Sequence, residues 1–361
     1  MKEPDQHKNR YQAEALETLA AALLVKAGLN SERARVVGSI LTEADLLGHS
    51  THGLALLPLY LREVESGGMA TSGEPEVIRD SGAAICWDGN YLPGPWLMQQ
   101  AIVLAESRLV VHPAVTMVIQ KSHHIACLAA YLEPAARNGH IIILSCSDPM
   151  NKTVAPFGGL DPVYSPNPIA AGWPTQEDPV LFDISMSATA NGLVAQKHKA
   201  GERLPHPWLL DAQGTPTDDP AAFFENPPAT ILPLGGLDTG YKGFALGLLV
   251  EALTNGLSGF GRSDEPKRWG ASVFLQLLNP EAFGGLDFFK KEMTRLAQAC
   301  LGSQPMPNGS GVRLPRSKAL ALKKIQLEQG IALLPAVWQD LKNCAERYDL
   351  KMPDALRIRS H

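Results

Sequence analysis

The sequence predicts a layered α/β protein built in two lobes, and three observations predict it. Between Ala84 and Leu144 short apolar runs alternate with amphipathic stretches, the pattern of strands packed against helices. At 361 residues the chain is longer than one hydrophobic core usually grows, roughly 250 to 300 residues. Hydrophobic residues make up 45% of it and charged residues 19%, which excludes a largely disordered chain. The alternation by itself does not fix whether the sheet is parallel.

From Tyr11 to about Leu29, the residues Leu16, Leu19, Ala20 and Leu23 recur at three- and four-residue spacing and share one helical face, which Gly28 and Asn30 end. Ser31-Glu32 then opens a second helix through Val36, Val37, Ile40 and Leu41 to Leu47, stopping at Gly48. Ala84-Ile85-Cys86-Trp87 reads as a strand ending at the turn signal Asp88-Gly89-Asn90, and Trp96 to Leu109 as the next helix. Val115 to Ile119 is a second strand, the segment after His124 up to Arg137 a helix, and Ile141 to Leu144 a third strand. Pro and Gly crowd Val154 to Pro174, which reads as irregular backbone that turns several times, the kind of segment on which binding groups are mounted. Val180-Leu181-Phe182 is a further strand. After Lys242-Gly243, Phe244, Leu246, Leu248, Leu249, Leu253 and Leu257 make a helix apolar on nearly every side, which predicts burial. Asp287 to Leu301 and Ser317 to Glu328 are helical, and a charged, exposed tail follows. No internal repeat interrupts this order.

Charge and cysteine usage narrow the function. A net charge of -5 and the lack of any Lys/Arg-rich run exclude a nucleic-acid partner. The five cysteines, Cys86, Cys127, Cys146, Cys300 and Cys344, are odd in number and never in a C-x-x-C arrangement, so neither a disulfide framework nor a thiolate zinc site is expected. The start of the chain is polar, and no apolar run approaches the roughly 18 residues of a membrane span. A soluble cytoplasmic protein without a membrane partner is expected.

The most informative stretch is Gly48-His49-Ser50-Thr51-His52-Gly53, just past the end of the second helix. A histidine beside a hydroxyl residue and a glycine, at a bend, is suited to proton transfer, although a lone histidine near a helix end is more often a satisfied polar residue. Ser122-His123-His124 puts two imidazoles at a strand-to-helix junction, where a helix N-terminus can also hold a phosphate. Asp183, at a strand end before Ser185-Met186-Ser187, can orient a histidine, bind ribose hydroxyls or cap a helix. Lys242 in Gly240-Tyr241-Lys242-Gly243 can pair with a phosphate, or be simply solvated. The glycine pairs Gly158-Gly159 and Gly235-Gly236 permit close approach of backbone to a ligand, or only turns. His49 and His52 with a later histidine suggest a metal, but adjacent histidines point apart and no carboxylate has a ligand's spacing, so no metal is expected. Neither G-x-G-x-x-G after a strand nor G-x-x-x-x-G-K-S/T is present, so any nucleotide site is built differently.

Taken in order, these segments resemble the malate/L-lactate dehydrogenase family of the second type, the non-Rossmann NAD(P)-dependent oxidoreductases. The resemblance spans roughly residues 12 to 340 and rests on Thr51-His52-Gly53 with Pro58 and Tyr60, Ser122-His123-His124, Val154-Ala155-Pro156-Phe157-Gly158-Gly159, Asn167-Pro168, Asp183 through Ser187, Gly214 through Pro220, Leu234-Gly235-Gly236 and Lys242-Gly243. It implies a non-Rossmann cofactor-binding fold with a largely antiparallel sheet plus a helical flanking domain. That domain would comprise residues 1–80 with 265–361, and the NAD(P)-binding sheet domain residues 81–264. It implies a homodimer with active sites at subunit contacts, and hydride transfer between NAD or NADP and a small 2-oxo acid or cyclic 2-imino acid. The proton role falls on His52, with Thr51 and Asp183 as its relay, or on His124. Cofactor contacts fall on Ser122, His123, His124, Phe182, Ile184, Ser185, Tyr241, Lys242 and the segment Arg316, Ser317, Lys318.

Three positions depart from the family. Leu56 stands where members commonly carry an arginine that grips the substrate carboxylate, so that bidentate clamp is missing. Ser165-Pro166-Asn167-Pro168 replaces Gly-Thr-Asn-Pro. Pro315-Arg316-Ser317-Lys318 replaces Pro-Gly-Glu, exchanging an anion for two cations, which favours the 2′-phosphate of NADP. Leu56 and the double histidine lean toward the imine and aromatic-oxo-acid reductases. Two other functions compete: a catalytically weak or inactive ligand-binding relative on the same fold, and a metal-dependent hydrolase using His49 and His52.

Overall fold

The computed structural model describes residues 9–315 and 317–356. The short strand β1 (Arg10–Tyr11) leads into α1 (Ala13–Ala27) and α2 (Ser31–Leu46), whose leucine faces pack together. Gly28 ends α1 at φ 121°, and the Asn30 side chain accepts the Arg33 amide at 2.8 Å to start α2. A helix without a sequence expectation follows, α3 (Leu57–Ser66), with Pro58 in its first turn and Gly67 at φ 77° closing it.

The sheet is assembled from β2 (Glu76–Asp80), β3 (Ala84–Asp88), β4 (Ala114–Ser122), β5 (Ile141–Ser147), β6 (Ile169–Trp173), β7 (Val180–Ile184) and, from far along the chain, a strand at Ala271–Leu278. A separate small sheet joins β8 (Leu209–Leu210), β9 (Pro216–Thr217) and β10 (Thr230–Ile231), so the distant strand is β11. The order is β2-β3-β4-β11-β5-β6-β7, and only the β3 and β4 pair is parallel. The sheet is therefore largely antiparallel, and the fold is a mixed α/β one without Rossmann topology.

α4 (Gly94–Arg108) and α5 (Leu132–Arg137) close over the sheet, burying Leu97, Met98 and Leu132 against Met117, Leu144 and Leu275. α6 (Asn191–Ala200), α7 (Gly236–Glu251), α8 (Leu286–Leu301), α9 (Ser317–Gln329) and α10 (Pro335–Arg347) complete the helices, and β12 (Ile331–Ala332) pairs with β1. β2 precedes residue 81 and β11 follows residue 264, so the sheet takes strands from both sides of the boundaries expected for its domain. The flanking helices keep a core of their own around Leu24, Tyr60 and Leu341.

Several local expectations are corrected. β11, for which no sequence expectation exists, is buried on both faces, Val273, Leu275 and Leu277 on one and Ser272 and Phe274 on the other, so its run carries no clear period-two signal to mark it as a strand. The segment 154–174 is irregular only up to Pro168. Ile169–Trp173 is β6, paired on both sides, and the prolines flanking it hide a short strand in a loop-like composition. The helix after His124 starts late: residues 123–127 form no regular element, with Ala126 at φ 58°, a 3-10 turn covers Leu128–Tyr131, and α5 begins only at Leu132. The C-terminal segment is no exposed tail as far as Arg347, because α10 buries Val337, Leu341 and Ala345. α7 is not buried as its composition suggests. Leu237, Tyr241 and Leu248 are each at least half exposed in the single chain, and Leu246 and Leu249 are nearly so. Gly235 and Gly236 take φ 99° and 61° to make the turn into this helix. Among the described residues no helix is long and apolar enough to cross a membrane.

Candidate active site

A cavity of about 390 Å³ opens where four parts of the chain meet: the turn between α2 and α3, the ends of β4, β5 and β7, the start of α6, and the loop before β11. Its walls include His49, Thr51, His52 and Leu56 from the turn, His124 and Cys127 after β4, Cys146 and Asp148 at β5, Asp183 and Ser185 at β7, Asn191 and Gly192 of α6, and Trp269. The turn is held by short backbone bonds. Gly48, at φ 83°, donates its amide to Asp45 O at 2.9 Å, His49 donates to Ala44 O at 2.8 Å, and His52 donates to His49 O at 2.9 Å. The Leu54 amide reaches the Asp45 carboxylate at 2.7 Å.

Within the turn the Thr51 hydroxyl lies 2.9 Å from His52 Nδ1. That contact occupies one ring nitrogen and leaves Nε2 as the atom for proton exchange. Burial pushes the His52 pKa below the ordinary 6.5, and the negative charge of Asp183 works against that push. The Asp183 carboxylate is itself oriented, accepting the Ala129 amide at 3.0 Å. Asp183 thus favours the imidazolium while the walls favour the neutral ring, the balance from which a proton can be taken or given.

His124 is held differently. Its Nδ1 receives the Ala126 amide at 3.3 Å and lies 2.8 Å from Tyr60 Oη. An amide N–H can only donate, so Nδ1 is the acceptor and the neutral ring carries its proton on Nε2. Burial, with His52 and His123 adjacent, holds the His124 pKa well below 6.5. The ring stacks on Trp269 at 4.7 Å between centroids and lies 6.1 Å from the His52 ring. His124 is therefore equipped to donate a hydrogen bond, and poorly equipped to gain a charge.

The other expected residues divide. Ser185 lines the cavity with Asp183. Ser122 and His123 are wholly buried and stand behind His124: the Ser122 hydroxyl donates to His123 O at 2.7 Å, and His123 Nε2 lies 3.4 Å from a Glu63 oxygen. Burial, with Arg268 nearby, pushes the His123 pKa down to about 3. Phe182 contacts Trp173 edge-on and Ile184 is 45% exposed, so neither forms the cavity wall. Tyr241 and Lys242 lie exposed on α7, the ammonium 5.8 Å above the Tyr241 ring. Ser317 and Lys318 border a separate depression of about 360 Å³ with Arg313, while Arg316 lies outside the described residues. Among the described residues no three His, Cys, Asp or Glu side chains gather as a metal cluster.

Sequence reasoning missed Trp269, Asn191, Asp148 and the two cavity thiols, because their segments carry no local motif. Asp148 followed β5 as a polar residue at a strand end, the one signal available. Burial raises the Asp148 pKa, and Asn151, through its side chain and amide, opposes this.

Residues 11–342 match the profile of the malate/L-lactate dehydrogenase family. The chain is 29% identical over 345 residues to an L-lactate dehydrogenase of Cupriavidus necator, covering 93% of this chain and 97% of the relative. It is 33% identical over 339 residues to a (2R)-3-sulfolactate dehydrogenase (NADP(+)) of Chromohalobacter salexigens, covering 90% and 95%. Among solved structures, a Δ1-piperideine-2-carboxylate reductase of Pseudomonas syringae superposes with a TM-score of 0.80 at 26% identity, covering 93% of this chain and 99% of the other.

The turn carries a measurable pH dependence. Burial pushes the Asp45 carboxyl from 3.8 up to about 7, so the stability it contributes is present in acid and lost as pH rises through about 7. Asp45→Asn, uncharged throughout, is expected to unfold at higher denaturant than the wild type at about pH 8, by on the order of 1–3 kcal/mol, and to show no such gain at about pH 4. Denaturant midpoints measured across that range check it, and a difference that does not vary with pH contradicts it.

Proposed function

The chain belongs to the malate/L-lactate dehydrogenase family, and we propose that it uses NADPH to reduce a small 2-oxo acid or cyclic 2-imino acid, with His52 as the proton donor. One observation carries this reading: His52, its Thr51 partner, the carboxylate of Asp183 and the fixed His124 border a single cavity. The enclosed histidines suit a site from which water is largely excluded.

The residues fit a nicotinamide. The cavity offers the apolar surfaces of Trp269 and Leu128, and the buried Oδ1 of Asn191 has no hydrogen-bond partner among the described residues, so it is an acceptor ready for a carboxamide. His124 and Ser185 would hold that end of the cofactor. The bound nicotinamide supplies the hydride. His52, from Nε2, gives its proton to the carbonyl oxygen or imine nitrogen, while Thr51 keeps the ring oriented and Asp183 stabilises the imidazolium before transfer. His124, with Nδ1 occupied, donates from Nε2 and keeps its own proton.

Substrate choice follows the walls. No lysine or arginine lines the cavity among the described residues, Leu56 faces it, and its carboxylates are Asp148 and Asp183. The substrate carboxylate is then held by uncharged donors, and a dicarboxylate is disfavoured. The cations of Arg316-Ser317-Lys318, with Arg313 beside the depression that Ser317 and Lys318 border, support NADP over NAD. The exposed leucines of α7 support a homodimer in which a second copy covers that helix, and the cofactor contacts of Tyr241 and Lys242 then belong to the subunit contact.

Following reduced-nicotinamide absorbance with oxaloacetate, phenylpyruvate and Δ1-pyrroline-2-carboxylate, we expect turnover of the latter two and least with oxaloacetate; cofactor-induced stabilisation without any turnover favours an inactive binding relative instead. His52→Asn is expected to lower kcat by about 10² to 10⁴ while cofactor affinity stays within about threefold, and wild-type reduction to rise as pH falls toward the His52 pKa, because the donor must be protonated. Unchanged turnover in the variant removes His52 from the mechanism. NADPH is expected to bind at least about tenfold tighter than NADH, a difference of about 1.4 kcal/mol, and equal affinities refute the preference. Light scattering at micromolar concentration is expected to give a dimer, with Leu248→Arg shifting it to monomer; a wild-type monomer refutes the assignment of α7.

A further inference from the structure

We propose that Asp45 is the positioning residue of the His52 turn, fastening both of its ends so that the imidazole is presented to the cavity in one orientation. This rests on the reading of His52 as proton donor, but Asp45 touches neither the cavity nor the reacting atoms.

Asp45 is the penultimate residue of α2 and only 8% exposed. Its main-chain oxygen accepts the Gly48 amide at 2.9 Å, where the turn begins. Its carboxylate accepts the Leu54 amide at 2.7 Å, where the turn ends. The five residues between those two amides, His49 to Gly53, include His52, and the same Asp45 main-chain oxygen is further held by the Gln326 side chain at 2.9 Å. Thus one residue, anchored in a helix and braced from α9, sets the span of the loop.

The carboxyl also acts through shape. A Cβ placed on Gly53, the residue after His52, would collide with both carboxylate oxygens of Asp45, so the carboxyl occupies the space that a side chain there would need. Gly53 has φ −98°, so the absence of a side chain is required by this contact and not by left-handed backbone. Across the turn, a Cβ on Gly192 would stand 3.3 Å from Thr51 Cβ and 3.9 Å from His52 Cε1. The Thr51-His52 pair is therefore confined between the Asp45 carboxyl, acting through Gly53, and the first turn of α6. A buried carboxyl costs free energy that an apolar residue would not, while removing it strands the Leu54 amide. That cost is explained if its product is a fixed imidazole.

The test uses Asp45→Ala, Asp45→Asn and Gly53→Ala in the full-length enzyme, with two readouts. The first is kcat and cofactor affinity. The second is the NMR titration of the His52 ring in the free enzyme, assigned by the signal that His52→Asn removes, which needs no turnover. Asp45→Ala is expected to lower kcat about 10- to 100-fold, to leave cofactor affinity within about threefold and to shift the His52 signal and its midpoint; Asp45→Asn, which retains an acceptor for Leu54, restores kcat and the signal to within about threefold. Gly53→Ala is expected to do similar damage alone and less in the Asp45→Ala background, where the space is vacated. An unmoved His52 signal in Asp45→Ala overturns the proposal, as does equal damage by Asp45→Asn, or cofactor affinity falling in step with kcat. If Asp45→Ala does not fold, the Gly53→Ala and Asp45→Asn pair decides by the same criteria. A shifted His52 signal with unchanged kcat upholds the positioning role and refutes His52 as the donor.

Discussion

The site depends on the junction of two cores, and the hydrogen bond from Tyr60 to His124 is where that junction is made. Tyr60 belongs to α3 and to the helical core around Leu24 and Leu341, whereas His124 follows β4 of the sheet. Because Tyr60 is wholly buried, its hydroxyl has no solvent alternative, and the bond ties the turn that carries His52 to the end of the interior strand β4. If helices and sheet packed without that register, the two imidazoles would not border the same cavity.

Burial at this junction sorts the histidines by role. Desolvation lowers the pKa of His52, His123 and His124 alike, yet each has a different neighbour. His123 faces Glu63 and Trp269 inside the protein, His124 spends Nδ1 on Tyr60 and Ala126, and only His52 feels the favourable charge of Asp183. Three chemically identical side chains thus become a packed residue, a fixed hydrogen-bond donor and an imidazole held beside a carboxylate. The environment makes the distinction, as it does wherever one residue type runs opposite chemistry within one site.

The buried network behind the cavity shows the same economy. Glu251, at the end of α7, receives Arg262 at 2.7 Å, Asn167 at 2.8 Å and Ser147 at 2.7 Å, and Arg262 reaches on to Asn151 O at 2.8 Å. Asn167 and Asn151 both line the cavity. The pairing is fully hydrogen-bonded, which a charge pair of such burial requires, and it connects the helix with exposed leucines to the loop behind the site.

The helices α1 and α2, the turn after them, the strands at 84–88, 114–122 and 141–147, and the family's motifs in order were legible because each has a local cause: a spacing of apolar residues, a cap, a glycine or a hydroxyl beside a histidine. Thr51, His52, His124 and Asp183 were readable as candidates for the same reason. β11 was not, since a strand buried on both faces has no alternation to read; nor was Trp269, which enters the site only because β11 pairs between β4 and β5. The exposure of α7 was hidden because composition reports how apolar a helix is and not what covers it. By itself the sequence determined the family, the absence of a dinucleotide fingerprint and the candidates for proton exchange. Only the tertiary structure decided that His124 is locked as a donor, that Ser122 and His123 stand behind it, and that Asp45 spans the turn, because those facts depend on groups brought together from helices and strands far apart in the chain.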